Sequence, residues 1–185
     1  MRGSRLLPIL LGAALSSAAL AQTASPYVGE QERAIKALSP ERQEGLLAGA
    51  GLGYAKAAEL NGHPGPKHVL EFAQALGLTP EQRHAVEESF DRMRVAAQAL
   101  GAGLVAAEEQ LDRRFAHRHL DAEKLSELTT RIGELEGRLR YVHLVAHLET
   151  DALLTAEQRA RYAELRGYAS GMGSVDRGHS GHEGH

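Results

Sequence analysis

Residues 78–111, LTPEQRHAVEESFDRMRVAAQALGAGLVAAEEQL, decide the fold. The stretch opens on a capping box. Thr79 can accept from the backbone N–H of Gln82, Gln82 can reach back to the N–H of Thr79, and Pro80 suits a first helical turn. Apolar residues then recur at Val86, Phe90, Met93, Ala97, Leu100, Leu104, Ala107 and Leu111. The steps alternate four and three, which is a heptad seam. The spacing predicts one long helix ending near Ala116.

Arg118 to Asp121 reads as a short connector. A second seam follows at Leu125, Leu128, Ile132, Leu135, Leu139, Val142 and Ala146. Two long helices with a short connector must lie antiparallel, and facing residues should sum to about 238. The opening cap then recurs: Leu154-Thr155-Ala156-Glu157-Gln158 repeats Leu78-Thr79-Pro80-Glu81-Gln82 at four of five positions. It predicts a last helix ending at Gly167. Arg83 and Arg159 stand where the apolar partner of a hydrophobic staple would be. Upstream, Ser39-Pro40-Glu41 predicts a short helix to Ala48, ended by Gly49 and Gly51. Asn61-Gly62-His63-Pro64-Gly65-Pro66 is a break. Another short helix is expected from about Lys67 to Leu76, stopped by Gly77. The fold class is therefore all-α: a long antiparallel hairpin with short flanking helices. Gly101 and Gly137 fall at one level in this register, so a bend or close backbone approach is expected there and the hairpin should be curved.

Composition agrees with a thin helical assembly. The 185 residues are 43% hydrophobic, but 30 of them are alanine and aromatics make up only 4%. Large side chains carry most of the burial energy of a compact core, so a thick three-layer enzyme is disfavoured and a layer of two helices is expected. There is no cysteine, so a metal would need His and carboxylate ligands. There is no serine in a nucleophile-elbow context, no Gly-rich phosphate loop and no His-Glu-x-x-His, so no enzyme is expected.

Arg2 and Arg5, the apolar run Leu6 to Leu20 and Ala19-Leu20-Ala21 read as a secretory signal peptide, cut after Ala21. Its removal leaves 19 basic against 24 acidic residues, a net charge of −5, which argues against a nucleic-acid partner. No later segment is long and apolar enough to span a membrane. Residues 22–66 read as an N-terminal extension, 67–167 as the helical domain, and 168–185 as a disordered tail rich in Gly, Ser and His.

The two Leu-Thr-x-x-Gln motifs, at Leu78, Thr79, Gln82 and at Leu154, Thr155, Gln158, resemble the Spy/CpxP family, as does the layout of signal peptide, helical hairpin and no cysteine. The segment Tyr141 to Tyr162 looks like its heavy-metal-resistance branch, with its CnrX-type metal sensors and ZraP-type zinc-binding proteins. The resemblance covers roughly residues 67–167. It implies a periplasmic α-helical protein, a homodimer of curved shape. Some members bind unfolded clients as ATP-independent chaperones. Others bind divalent metal and act on a membrane-bound signalling partner. The shared motif does not choose between these roles.

His143 and His147 lie four apart, one turn along one helix face, which is a workable chelate. In CnrX-type proteins the matching helix carries a His followed four residues later by Met. His143 matches that His, and His147 stands where the Met would be, which favours zinc, nickel or cobalt over copper(I). By the hairpin register Asp91 faces His147, with Glu87 or Glu88 a turn away, so one of these carboxylates is a candidate to complete the site. His68 is the nearest match to the family's N-terminal His pair, and the second His is missing. The bland alternative makes His143 and His147 partly exposed residues flanking the seam. His117 and His119 at the hairpin tip read as solvated. His179, His182 and His185 in the tail can wrap an ion loosely. Should the protein bind clients instead, the candidate contacts are Leu144, Val145 and Leu148 on the second long helix and Val105 on the first. Packing against short helices, or a dimer interface, is the alternative for each.

Overall fold

The computed structural model describes residues 24–169. The expected signal peptide, and the tail with His179, His182 and His185, lie outside the described residues. Helices are the only regular structure among the described residues: a 3-10 turn at Glu30–Glu32, then α1 (Pro40–Ala48), α2 (Lys56–Glu59), α3 (Pro66–Glu71), α4 (Pro80–Ala116), α5 (Ala122–Leu153) and α6 (Ala156–Leu165).

The caps act as their chemistry requires. The Ser39 hydroxyl accepts from the Arg42 N–H, and Gly49 closes α1 in the left-handed conformation at φ 70°. Both capping boxes are complete. Asp121 caps α5 by accepting from the Lys124 N–H at 2.8 Å. The helix expected to run to Leu76 ends earlier, at Glu71. The chain then winds through turns to Gly77, whose φ of 61° makes the reversal into α4.

The expected hairpin register holds. Ser89 donates to the Glu149 carboxylate at 2.6 Å, and a Cβ on Gly103 would touch the Leu135 side chain at 3.3 Å. Both seams turn inward, with Val86, Ala97, Leu104, Leu135, Leu139 and Ala146 almost wholly buried.

The expectation of a two-helix layer does not hold, because the N-terminal segment adds a third. Ile35, Leu38, Leu46 and Tyr54 join Ala97, Leu100, Leu104, Ala107, Leu135 and Leu139 in one core cluster. A second cluster at the open end of the hairpin gathers Val69, Leu76, Val86, Leu154 and Tyr162. The glycine pairing also fails. Gly137 opens onto empty space, whereas a Cβ on Gly101 would collide with the Leu46 carbonyl oxygen. The close backbone approach is therefore between α4 and α1. Heptad arithmetic could not show this, because α1 is outside both seams.

The two motif glutamines meet at the base. Gln82 Nε2 donates to Gln158 Oε1 at 2.9 Å, and Gln158 Nε2 returns a bond to Gln82 Oε1 at 3.0 Å. Gln82 also donates to the Leu153 carbonyl at 2.7 Å. Each glutamine thus caps its own helix and ties the start of α4 to the start of α6.

Candidate metal centre

His143 and His147 project from α5 toward the N-terminal segment and away from the solvent. They are 3% and 9% exposed, which overturns the reading of them as partly exposed flanking residues. With His68, Phe90 and Met93 they line a cavity of about 390 Å³ between the hairpin, the loop after α1 and the start of α3.

His147 is held in one tautomer. Its Nδ1 lies 2.8 Å from the His63 carbonyl, an oxygen that can only accept, so Nδ1 carries a proton and Nε2 is the ring nitrogen left to face a ligand. The Gly65 backbone presses on the same ring: a Cβ there would come within 2.7 Å of Cε1. The Glu59 carboxylate stands 3.8 Å from Nδ1 and is itself bound by Tyr162 at 2.8 Å, Arg166 at 3.0 Å and Tyr168 at 3.2 Å. Glu59 therefore steadies the protonated edge of the ring.

His143 is clamped differently. Tyr54 stacks on it with ring centroids 5.7 Å apart and planes 7° from parallel. The Tyr54 hydroxyl donates to Glu136 at 2.5 Å and accepts from Arg42 at 3.2 Å. Burial, then the Glu136 carboxylate, push that phenol up to about 12. Burial, and secondarily His147, hold His143 below the usual imidazole value, so it stays neutral near pH 7. Its Nε2 is buried without a hydrogen-bond partner. A buried polar atom with no partner is costly in a folded protein unless something occupies it.

The carboxylates expected to complete this site point elsewhere. Asp91 pairs with Arg94 at 3.1 Å, Glu87 with Arg83 at 2.9 Å, and Glu88 with His84 at 3.4 Å, all at the surface. The register that places Asp91 opposite His147 is sound, but His147 rotates toward the third layer and Asp91 toward water. His68 does reach the cavity, and burial lowers its pKa first of all. Among the described residues no group of three or more His, Asp or Glu is gathered to hold a metal. His117 and His119 are exposed at the tip, their centroids 6.4 Å apart.

Among the client-contact candidates, Leu148 is 56% exposed, and Leu144 and Val145 are half-buried. Val105 is half-buried and packs against the first core cluster. Sequence reasoning missed Tyr54, Glu59, His63 and Gly65 as parts of the site. The available signal was the Pro64-Gly65-Pro66 run, a stiff loop with one small residue for close approach.

Residues 45–161 match the profile of the heavy-metal resistance family. The chain belongs to that family. The matched span runs from within α1 to within α6 and so includes the loop and α3 wall of the cavity as well as the hairpin. No curated protein and no solved structure matches the chain. No helix among the described residues is long and apolar enough to cross a membrane.

Proposed function

We propose that this member of the heavy-metal resistance family is a periplasmic protein of the Spy/CpxP type that binds a transition-metal ion through His143 and His147 and so buffers or senses it. The observation that carries the reading is the unpartnered, buried Nε2 of His143, one helical turn from a His147 whose own Nε2 is freed by the bond at Nδ1. Two oriented imidazoles fit a borderline metal ion such as zinc, nickel, cobalt or copper. When bound, the ion would be held by these two α5 side chains, in the cavity that the N-terminal segment walls. A homodimer and a membrane-bound signalling partner fit this role.

The test is calorimetric titration of the full mature chain carrying His179→Asn, His182→Asn and His185→Asn, with zinc, nickel, cobalt and copper(I). One equivalent of some ion, lost with His143→Ala and His147→Ala, is expected. Binding that those two changes leave intact, or no stoichiometric binding of any ion, overturns the reading.

A chaperone role without specific metal use is the second reading. It is favoured by the exposed Tyr141 (66%), Leu148 (56%) and Val95 (62%), apolar surface of the kind that weak client binding uses. Suppression of client aggregation that is indifferent to chelator would support it.

A further inference from the structure

The cavity has a donor set that the sequence pattern did not anticipate. Three imidazoles and one thioether, Met93, reach its wall, and no carboxylate does. The charged groups on the wall are Lys67 and Arg94, whose carboxylate partners Glu71 and Asp91 stand outside it. A hard or borderline dication would enter without any anionic ligand and beside two cations. Zinc also wants about four ligands, and the described residues gather no set of three from His, Asp and Glu. A soft monovalent ion has the opposite needs: it carries less charge, is satisfied by two or three ligands, and prefers sulfur and imidazole to carboxylate.

Met93 sits on the apolar seam of α4, where a leucine would fill the same space. It faces the cavity half-buried beside Phe90, across from the two α5 histidines. From this donor set we infer that Met93 is a thioether ligand, and that the site is built for a soft d10 monovalent ion of the copper(I) or silver(I) class. This rests on the metal reading of His143 and His147 and narrows it. His147 alone favours zinc, nickel or cobalt, but it and His143 belong to one helix. Met93 enters from the facing helix, and the carboxylates that would have favoured those ions turn away.

The experiment uses the full mature chain with the three tail histidines changed to Asn and with 13C-methyl methionine. Silver(I), then copper(I) under anaerobic conditions, is added, and zinc is added to a separate sample. Silver(I) and copper(I) should each shift the Met93 methyl resonance at one equivalent, and zinc should not. Met93→Leu assigns the resonance against that of Met172. It should weaken copper(I) binding by about tenfold or more, the scale at which even outer-shell partners matter, and leave zinc binding and the thermal midpoint of the metal-free chain unchanged. Should His143→Ala and His147→Ala abolish binding while the Met93 methyl stays still, or zinc outcompete copper(I), the soft-ion inference falls and the metal reading stands. Should no ion bind, both fall.

Discussion

Helices α4 and α5 announce themselves by period, with a cap at each start and an apolar residue every third or fourth position. Residues 24–77 show no such period, and form only a 3-10 turn and three short α-helices joined by turns. Yet Leu46, Tyr54 and Ile35 of this segment are as deeply buried as the leucines of the seams. Helix length and contribution to the core are thus separate matters. A long amphipathic helix is legible because its burial repeats, whereas a short segment buries single residues at places chosen by the surface beneath it.

Truncating one leucine in each region should give the largest difference. Leu46→Ala should cost about 3 kcal/mol, the cost of a sealed core site, although α1 is only nine residues long. Leu125→Ala, half-buried near the hairpin tip, should cost about 1 kcal/mol despite lying on the heptad seam. Urea denaturation of both variants checks the order. The reverse order would show that α1 is an appendage.

Two glycines sharpen the same point. Gly101→Ala should destabilise by about 2 kcal/mol, because its methyl would strike the α1 backbone and neither helix can yield cheaply. Gly137→Ala, with open space at its Cβ, should stabilise by up to about 1 kcal/mol through helix propensity alone. Thermal midpoints moving in opposite directions would confirm that the close approach is to α1.

The motif glutamines test the base of the hairpin. A double-mutant cycle of Gln82→Ala and Gln158→Ala should give a coupling of about 1 kcal/mol, since each carboxamide loses its partner when the other is removed. Additive effects would reduce both motifs to independent caps.

The smallest effect expected is one of pH. His143 has its folded pKa depressed below the ordinary 6.5, so the unfolded chain takes up a proton there before the folded chain does. Its contribution is fully present above about pH 6.5 and is lost as pH falls below it. Metal-free chain should therefore become less stable from pH 7 toward pH 5. His143→Gln should flatten part of that slope, and a slope left unchanged would place the titration elsewhere.

Local sequence chemistry is enough to specify the capping boxes at Thr79 and Thr155, the hairpin of α4 and α5, its antiparallel register, and the short helix begun by Ser39. These rest on local chemistry, on contacts within a turn, and on a period that any antiparallel pair must satisfy. It also singled out His143 and His147, because four-residue spacing puts two rings on one helix face wherever the helix sits. Tertiary structure alone decided what that face looks at. The N-terminal segment lies across α5, buries both rings, fixes the His147 tautomer through the His63 carbonyl, and stacks Tyr54 on His143. Asp91 failed as a partner and Met93 emerged as one for the same physical reason. Register fixes the level of a residue along a hairpin, and only the third layer fixes which way around the helix the cavity opens.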